Sequence, residues 1–349
     1  MKLYGKNWTR RELEARFGSV ENTIGIKRYQ LSEGPEAGVQ MAQIRTGNGL
    51  TYHVNLSRAL DIELTEFCGT PISWHSVNGN IHPAYYDDKG LEWLRTATGG
   101  LLMTCGLTQV GSPCTDQGES LGLHGRAHHL PARRIATEGY WENDDYFVRV
   151  SGVIQETKVF SENIRLIREV KSKAGENRII IQDTVENLGF STMPHMILYH
   201  FNFGFPLMDK DTKIVFPSKK VIPREDDLPI EGFDLWQDPE VGYQERVYYH
   251  TDLEKKCGGS EMACVEITSP RFPIHGGSGF APVTVRIKWD TSLLDRLIQW
   301  KMPAAGVYVL GIEPANCYVA GRAAERERGT LQMIEPGEKR RYHLEIEIF

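Results

Sequence analysis

The feature that most constrains this 349-residue chain is a succession of short, β-rich segments separated by turn signals. Ile24–Leu31, Thr51–Leu56, Tyr146–Ile154, Ile164–Val170 and Arg178–Val185 alternate roughly between apolar and polar residues. Met196–Phe203, Arg246–His250, Val283–Trp289, Val307–Ile312 and Tyr342–Ile348 do the same. A period of two sends successive side chains to opposite faces of a sheet, so each segment reads as a strand. Glu33-Gly34-Pro35, Asn78-Gly79-Asn80, Gly175-Glu176-Asn177 and Pro336-Gly337-Glu338 supply turns. The strand–helix alternation of a parallel sheet is missing, as are the GxGxxG and GxxxxGK[ST] phosphate loops. The expectation is an all-β protein, a large antiparallel β-sandwich with a few short helices.

One helix is signalled near the start. Thr9 and Glu12 have capping-box spacing, Leu13 and Phe17 share a face, and Gly18 suits the position past the last turn. Residues 292–302 read as a second short helix, with Leu293, Leu294, Leu297 and Ile298 on one side. Asp183–Leu188 and Tyr199–Phe205 read as adjacent strands joined across a short connection. No composition break or flexible linker divides the chain. Residues 1–349 are therefore read as one domain with an N-terminal extension over about residues 1–30.

A formal net charge of -6 leaves no whole-protein field to gather nucleic acid or anionic lipid. Arg133-Arg134, Lys219-Lys220 and Lys339-Arg340-Arg341 are short basic runs interleaved with acids, and read as solvated faces. The first residues lack the apolar core of a signal peptide, and no stretch approaches the roughly 20 apolar residues that span a bilayer. A cytoplasmic location is expected. Cys68, Cys105, Cys114, Cys257, Cys264 and Cys317 show no C-x-x-C spacing and are expected to be free thiols there. A homodimer stays open, because strand faces do not reveal which edges or backs pair.

Three local constellations could carry chemistry. In LGLHGRAHHLPAR, residues 121–133, His124 and Arg126 lie on a glycine-relieved loop suited to hydrogen bonding with a polar ligand. His128 and His129 of the same segment read as surface residues. In ILYHFNFGFP, residues 197–206, alternation puts His200, Asn202 and Gly204 on one face, opposite Tyr199, Phe201 and Phe203. In VYVLGIEPAN, residues 307–316, an apolar strand delivers Glu313 just before Pro314, which is read as ending the pairing. Partial desolvation there would raise the carboxyl's pKa toward that of a useful base. The residues alone also allow a plain surface loop, a solvated edge strand and a strand–turn junction.

Taken in order, the three segments resemble the aldose 1-epimerase (galactose mutarotase) superfamily, and most of all an uncharacterised branch of it. LYGKNWTRRELEARFGS, SRALDIELTEFCGTPISWHS (57–76) and TCGLTQVG (104–111) extend the resemblance over nearly the whole chain. It implies a galactose mutarotase-like sandwich that opens and recloses a sugar ring, with no metal or other cofactor. Glu313 would be the general base at the anomeric hydroxyl, and His200 the general acid at the ring oxygen, on opposite sides of the acetal. His124 would stabilise developing charge. Arg58, Arg126, His75, Asn202 and Glu245 are candidate substrate contacts, with Glu245 standing where the family commonly has Asp. Trp74, Trp236 and Trp300 are candidates to stack on a sugar face. Segments 76–100, 209–240 and 257–280 are expected to shape specificity. Three rival readings remain open: another sugar reaction of the same Glu/His pair, a carbohydrate-binding protein without turnover, and a metal-dependent isomerase using His75, His124 and His200.

Overall fold

The computed structural model describes residues 1–259 and 261–349. Its main strands begin with β1 (Gly25–Gln30), β2 (Gln40–Arg45), β3 (Leu50–Asn55), β4 (Asp61–Phe67) and β5 (Leu102–Leu107). There follow β6 (Arg133–Glu142), β7 (Asp145–Thr157), β8 (Asn163–Lys173), β9 (Arg178–Asn187) and β10 (Met196–Gly204). Next come β11 (Lys213–Val215), β12 (Ser218–Pro223), β13 (Arg246–Leu253) and β14 (Met262–Ile274). The last are β15 (Gly279–Asp290), β16 (Arg296–Ala304), β17 (Val307–Ala315) and β18 (Lys339–Ile348).

Among the described residues these strands form two large antiparallel sheets. The first runs β12-β13-β16-β17-β10-β5-β4-β3-β2-β1, with Thr70–Pro71 paired to β4; the second runs β6-β7-β8-β9-β18-β15-β14-β11. Their inner faces build the main core, where Tyr199, Phe201 and Phe203 meet residues such as Val150, Ile181 and Trp289. The first sheet also buries part of its outer face. Met103, Cys105, Leu198, Val247, Ile298 and Ala315 form a second apolar cluster there with Trp93.

That double burial explains where sequence patterning misleads. All nine residues of β10 are buried, so it is a central strand and not a solvated edge. Residues 296–302 of the segment read as a helix instead lie in strand β16, hairpinned to β17 with Ala304 opposite Val307. Leu297, Ile298 and Gln299 are buried in succession, and a strand buried on both faces lacks the alternation that would distinguish it from a helix. Asp183 and Tyr199 lie on β9 and β10 in different sheets, so their strands are not neighbours. They meet across the core, where the Tyr199 hydroxyl donates to Asp183 at 2.7 Å.

Helix α1 (Arg10–Glu14) has both halves of the Thr9–Glu12 capping box and ends at Ala15, short of Gly18. Cys257 and Cys264 are joined as a disulfide, against the expectation of six free thiols. The Cys257 N–H bonds the Met262 carbonyl, two residues before Cys264, which brings the two cysteines together.

Arg168 on β8 is wholly buried and ties the sheets together. Its Nε and Nη2 donate to Asp183 on β9, at 2.9 and 2.6 Å. Its Nη1 reaches across to Asp61 on β4 at 2.9 Å and to Thr104 Oγ1 on β5 at 2.7 Å. Burial alone would raise the Asp61 pKa; His128, Arg168 and Thr104 outweigh it and hold the carboxyl below its ordinary value. Removing the cation would leave two buried carboxylates without it. Arg168→Met is therefore expected to lose about 3–5 kcal/mol of stability in urea denaturation at neutral pH. Most of that loss should return when Asp61→Asn and Asp183→Asn are added. A single variant within experimental error of the parent would show that the cluster does not carry the fold.

Candidate active site

On the outer face of the first sheet, β10 and β17 pair with Leu198 opposite Ala315 and Phe201 opposite Ile312. The same register sets His200 opposite Glu313. His200 Nε2 and Glu313 Oε1 stand 3.2 Å apart, with side chains only 8% and 3% exposed. Strand pairing, rather than a loop, thus determines their separation. Pro314 remains within β17, opposite Leu297 on β16, so it does not end the pairing as the sequence suggests. Gly311 precedes Glu313 by two residues on the same face. A Cβ on Gly311 would lie 2.7 Å from Glu313 Oε1 and 2.9 Å from Trp300 Cβ, so the missing side chain makes room for the carboxyl.

His124 reaches the pair from its loop. It has φ 55°, and its N–H and carbonyl are bound by Gly111 and Gly106. A Cβ on the following Gly125 would come within 2.4 Å of the Gln109 carbonyl oxygen, so glycine lets the loop press onto its support. The His124 ring lies edge-on to His200 at 6.0 Å and tilts against Trp93 at 5.0 Å. On the other side of His200 stands Trp300 at 5.6 Å, with Trp74 beyond it at 6.1 Å. A continuous line of ring contacts therefore runs from Trp93 through His124 and His200 to Trp300 and Trp74.

Burial keeps the pair uncharged. It pushes Glu313 up to about 8, with Glu245 adding to the effect and Arg224 opposing it. It pulls His200 down to about 3, assisted by His124, and His124 itself down to about 4. His128 and His129, expected at the surface, are buried beside Trp93. His128 Nδ1 is 2.7 Å from Asp61, so the loop that carries His124 is tied to the Arg168 cluster. Burial lowers the His128 pKa despite that carboxylate.

The remaining candidates divide. Asn202 is fully buried and donates to the Gly100 and His200 carbonyls at 3.1 and 3.0 Å, so it braces the strand bearing His200. Glu245 sits at the rim, bound by Trp300 Nε1 and Arg224, each at 3.0 Å. Arg58 is wholly buried and grips the Ile81 carbonyl with Nε and Nη2, at 2.9 and 2.5 Å. Arg126 turns away to Asp88, 2.5 Å away, in a separate small polar recess with Glu156 and Glu162. His75 pairs its backbone with Gly99, next to Trp74.

Trp74 and Trp300 flank the site, whereas Trp236 belongs to the main core. Segment 76–100 covers part of the outer face through Trp93, and Arg224 and Glu245 bracket the other side. Segment 257–280 supplies β14 and the start of β15 in the other sheet, away from the site; Ser260 within it lies outside the described residues. Sequence reasoning missed Trp93, His128, Asp61 and Arg224. The first lies in a stretch without alternation, and Arg224 opens an acidic run that reads as ordinary surface.

His124 Nδ1, His200 Nδ1, Asn202 Oδ1, Trp93 Nε1, His75 Nε2 and Arg58 Nη1 are buried and have no hydrogen-bond partner among the described residues. Such groups suit a ligand rich in donors and acceptors. Among the described residues, no three His, Cys, Asp or Glu side chains converge as a metal site.

Comparison with known proteins places this geometry in a family. A family model described as a domain of unknown function, DUF4432, matches residues 36–348. No curated protein matches the sequence. A protein from Klebsiella pneumoniae subsp. pneumoniae MGH 78578, which carries a provisional aldose 1-epimerase name, is similar in structure. Its TM-score is 0.82 at 23% identity, over 93% of this chain and 83% of that one. A galactose mutarotase-like protein from Clostridium acetobutylicum gives a TM-score of 0.61 at 13% identity, covering 94% and 99% of the two chains. Galactose 1-epimerase from Lactobacillus acidophilus NCFM gives 0.58 at 11% identity, covering 93% and 99%. Identities this low speak to the fold alone. The chain belongs to the DUF4432 family and has the sandwich fold of galactose mutarotase-like proteins.

Proposed function

We propose that this protein is a carbohydrate isomerase, an aldose 1-epimerase that interconverts the anomers of a small sugar without a metal or other cofactor. A cytoplasmic location belongs to the same proposal. The observation that carries the reading is the buried His200–Glu313 pair. Mutarotation takes a proton from the anomeric hydroxyl and delivers one to the ring oxygen, and both oxygens are bonded to one carbon. An acid and a base that touch at one place suit that demand better than groups on opposite sides of the acetal.

The chemistry needs one proton shared by the two groups. Burial favours a protonated Glu313 beside a neutral His200 in the free protein. Moving that proton across the 3.2 Å approach gives the form in which Glu313 is the base and His200 the acid. Ring opening then removes the O1 proton and protonates O5, breaking the C1–O5 bond and leaving an open-chain aldehyde. Rotation about C1–C2 presents the other carbonyl face, and closure runs the two transfers in reverse. His124 and the aromatic side chains around the pair exclude water and orient the sugar.

Exchange NMR or polarimetry with a panel of aldoses should show accelerated anomer exchange. Glu313→Gln and His200→Asn should each reduce it by about 10²–10⁴-fold. Sugar binding with no acceleration for any aldose would favour the binding-protein reading. The pH dependence follows from the shared proton. Above about 8 Glu313 ionises and the pair holds no proton, so turnover should fall as pH rises through that value. A rate that climbs through the same range would contradict the one-proton mechanism. Gly311→Ala should fold but exchange anomers at least about tenfold more slowly, because its Cβ displaces the Glu313 carboxyl. Unchanged rates in that variant would mean that the carboxyl's position is unimportant.

A further inference from the structure

Mutarotation by His200 and Glu313 leaves a charged pair beside the site without a role. Arg224, directly after β12, holds two carboxylates: Nε binds Glu225, and Nη2 binds Glu245 Oε1 at 3.0 Å. The other Glu245 oxygen accepts from Trp300 Nε1 at 3.0 Å. Both oxygens of Glu245 are thus engaged by the protein, and the carboxylate bridges a rim cation to an indole. Trp300 lies opposite Gly311 in the β16–β17 register and stands edge-on to His200. A chain of contacts therefore runs from Arg224 through Glu245 and Trp300 to His200 and Glu313. Its outer members are partly open to solvent, with side chains 29% and 49% exposed.

We propose that Arg224 is a positioning residue for the acid–base pair: it holds Glu245, and through it the Trp300 indole, against His200. The inference rests on the acid–base reading of the pair, and it gives Glu245 a bracing role in addition to any contact with sugar. The groups facing Glu313 can be named element by element. They are His200 from β10, His124 from its loop, Cys105 from β5, Glu245 ahead of β13 and Arg224 after β12. From β16 come Ile298 and Trp300, which do not titrate. Burial keeps His200, His124 and Cys105 neutral near pH 7. Glu245 and Arg224 are left as the full charges, and they act on Glu313 in opposite senses.

The test follows the Glu313 carboxyl by carbon-13 NMR, with its signal identified by loss in Glu313→Gln. Arg224→Met, Arg224→Lys and Glu245→Gln are titrated beside the parent, with anomer exchange and thermal midpoints measured in parallel. Arg224→Met should move the Glu313 midpoint up and Glu245→Gln should move it down. Arg224→Met should also slow exchange by between about 10- and 100-fold while remaining folded. Arg224→Lys should restore most of the midpoint but not the rate, because an amine cannot grip two carboxylates as a planar guanidinium does. Midpoints that stay put, shifts of the same sign in Arg224→Met and Glu245→Gln, or full rate rescue by lysine would each overturn the proposal. If the parent turns over no aldose, the mutarotase reading fails and the titration arm alone decides the positioning role.

Discussion

Arg168 brings a full charge into the space between the two sheets, where only close carboxylates make it tolerable. Asp183 receives it from the same sheet and Asp61 from the opposite one, so relative sliding of the sheets would break ionic contacts in a dry interior. Apolar packing alone would allow several offsets between two such faces. The ion cluster selects one. It also extends past the core, because Asp61 holds His128 and His128 belongs to the segment that carries His124. The inter-sheet register and the placement of the loop that carries His124 thus depend on one guanidinium.

The acid–base pair is governed by the same physics with the opposite outcome. Among the described residues Glu313 and His200 form an ion pair with no group but each other, and burial drives both toward neutrality instead of stabilising their charges. Their separation is inherited from antiparallel pairing and from the space left by Gly311. The surrounding rings come from segments outside the sheet centre, such as Trp93 and His124. A rigid floor with separately supplied walls is a common way to hold reactive groups while adapting to different ligands.

Most of the architecture was legible wherever one face of a strand meets the core and the other meets water. Tyr146–Ile154, Ile164–Val170 and Arg178–Val185 show that alternation and lie within the longer strands β7, β8 and β9. Legibility fails at the centre of the first sheet, which is buried on both faces. Leu102–Leu107 carries no strand signal, and residues 292–302, most of which lie in β16, read as helix for that reason. The site was legible in part. His124, His200 and Glu313 stand out because a polar residue in an apolar or glycine-rich run is unusual, and they do converge. Arg126 of the same glycine-relieved loop, and Arg58, which the resemblance implied, chiefly serve Asp88 and the Ile81 carbonyl instead. Arg224 carries no signal in the sequence and His128 reads as surface, because the importance of each comes from partners far away in the chain.

The depth of β10 bears on how the molecule comes apart. Every residue of this strand is buried, and it has a paired neighbour on each side within the sheet. Its amide hydrogens can meet solvent only when much of the sandwich opens, so their exchange should track global unfolding. The partly exposed Arg224 and Glu245 belong to a region that can open locally at lower cost. Under gentle heating, then, the walls of the cleft should loosen while its floor stays closed. Inactivation that precedes the loss of β-structure would report on the rim, with His200 and Glu313 still aligned beneath it.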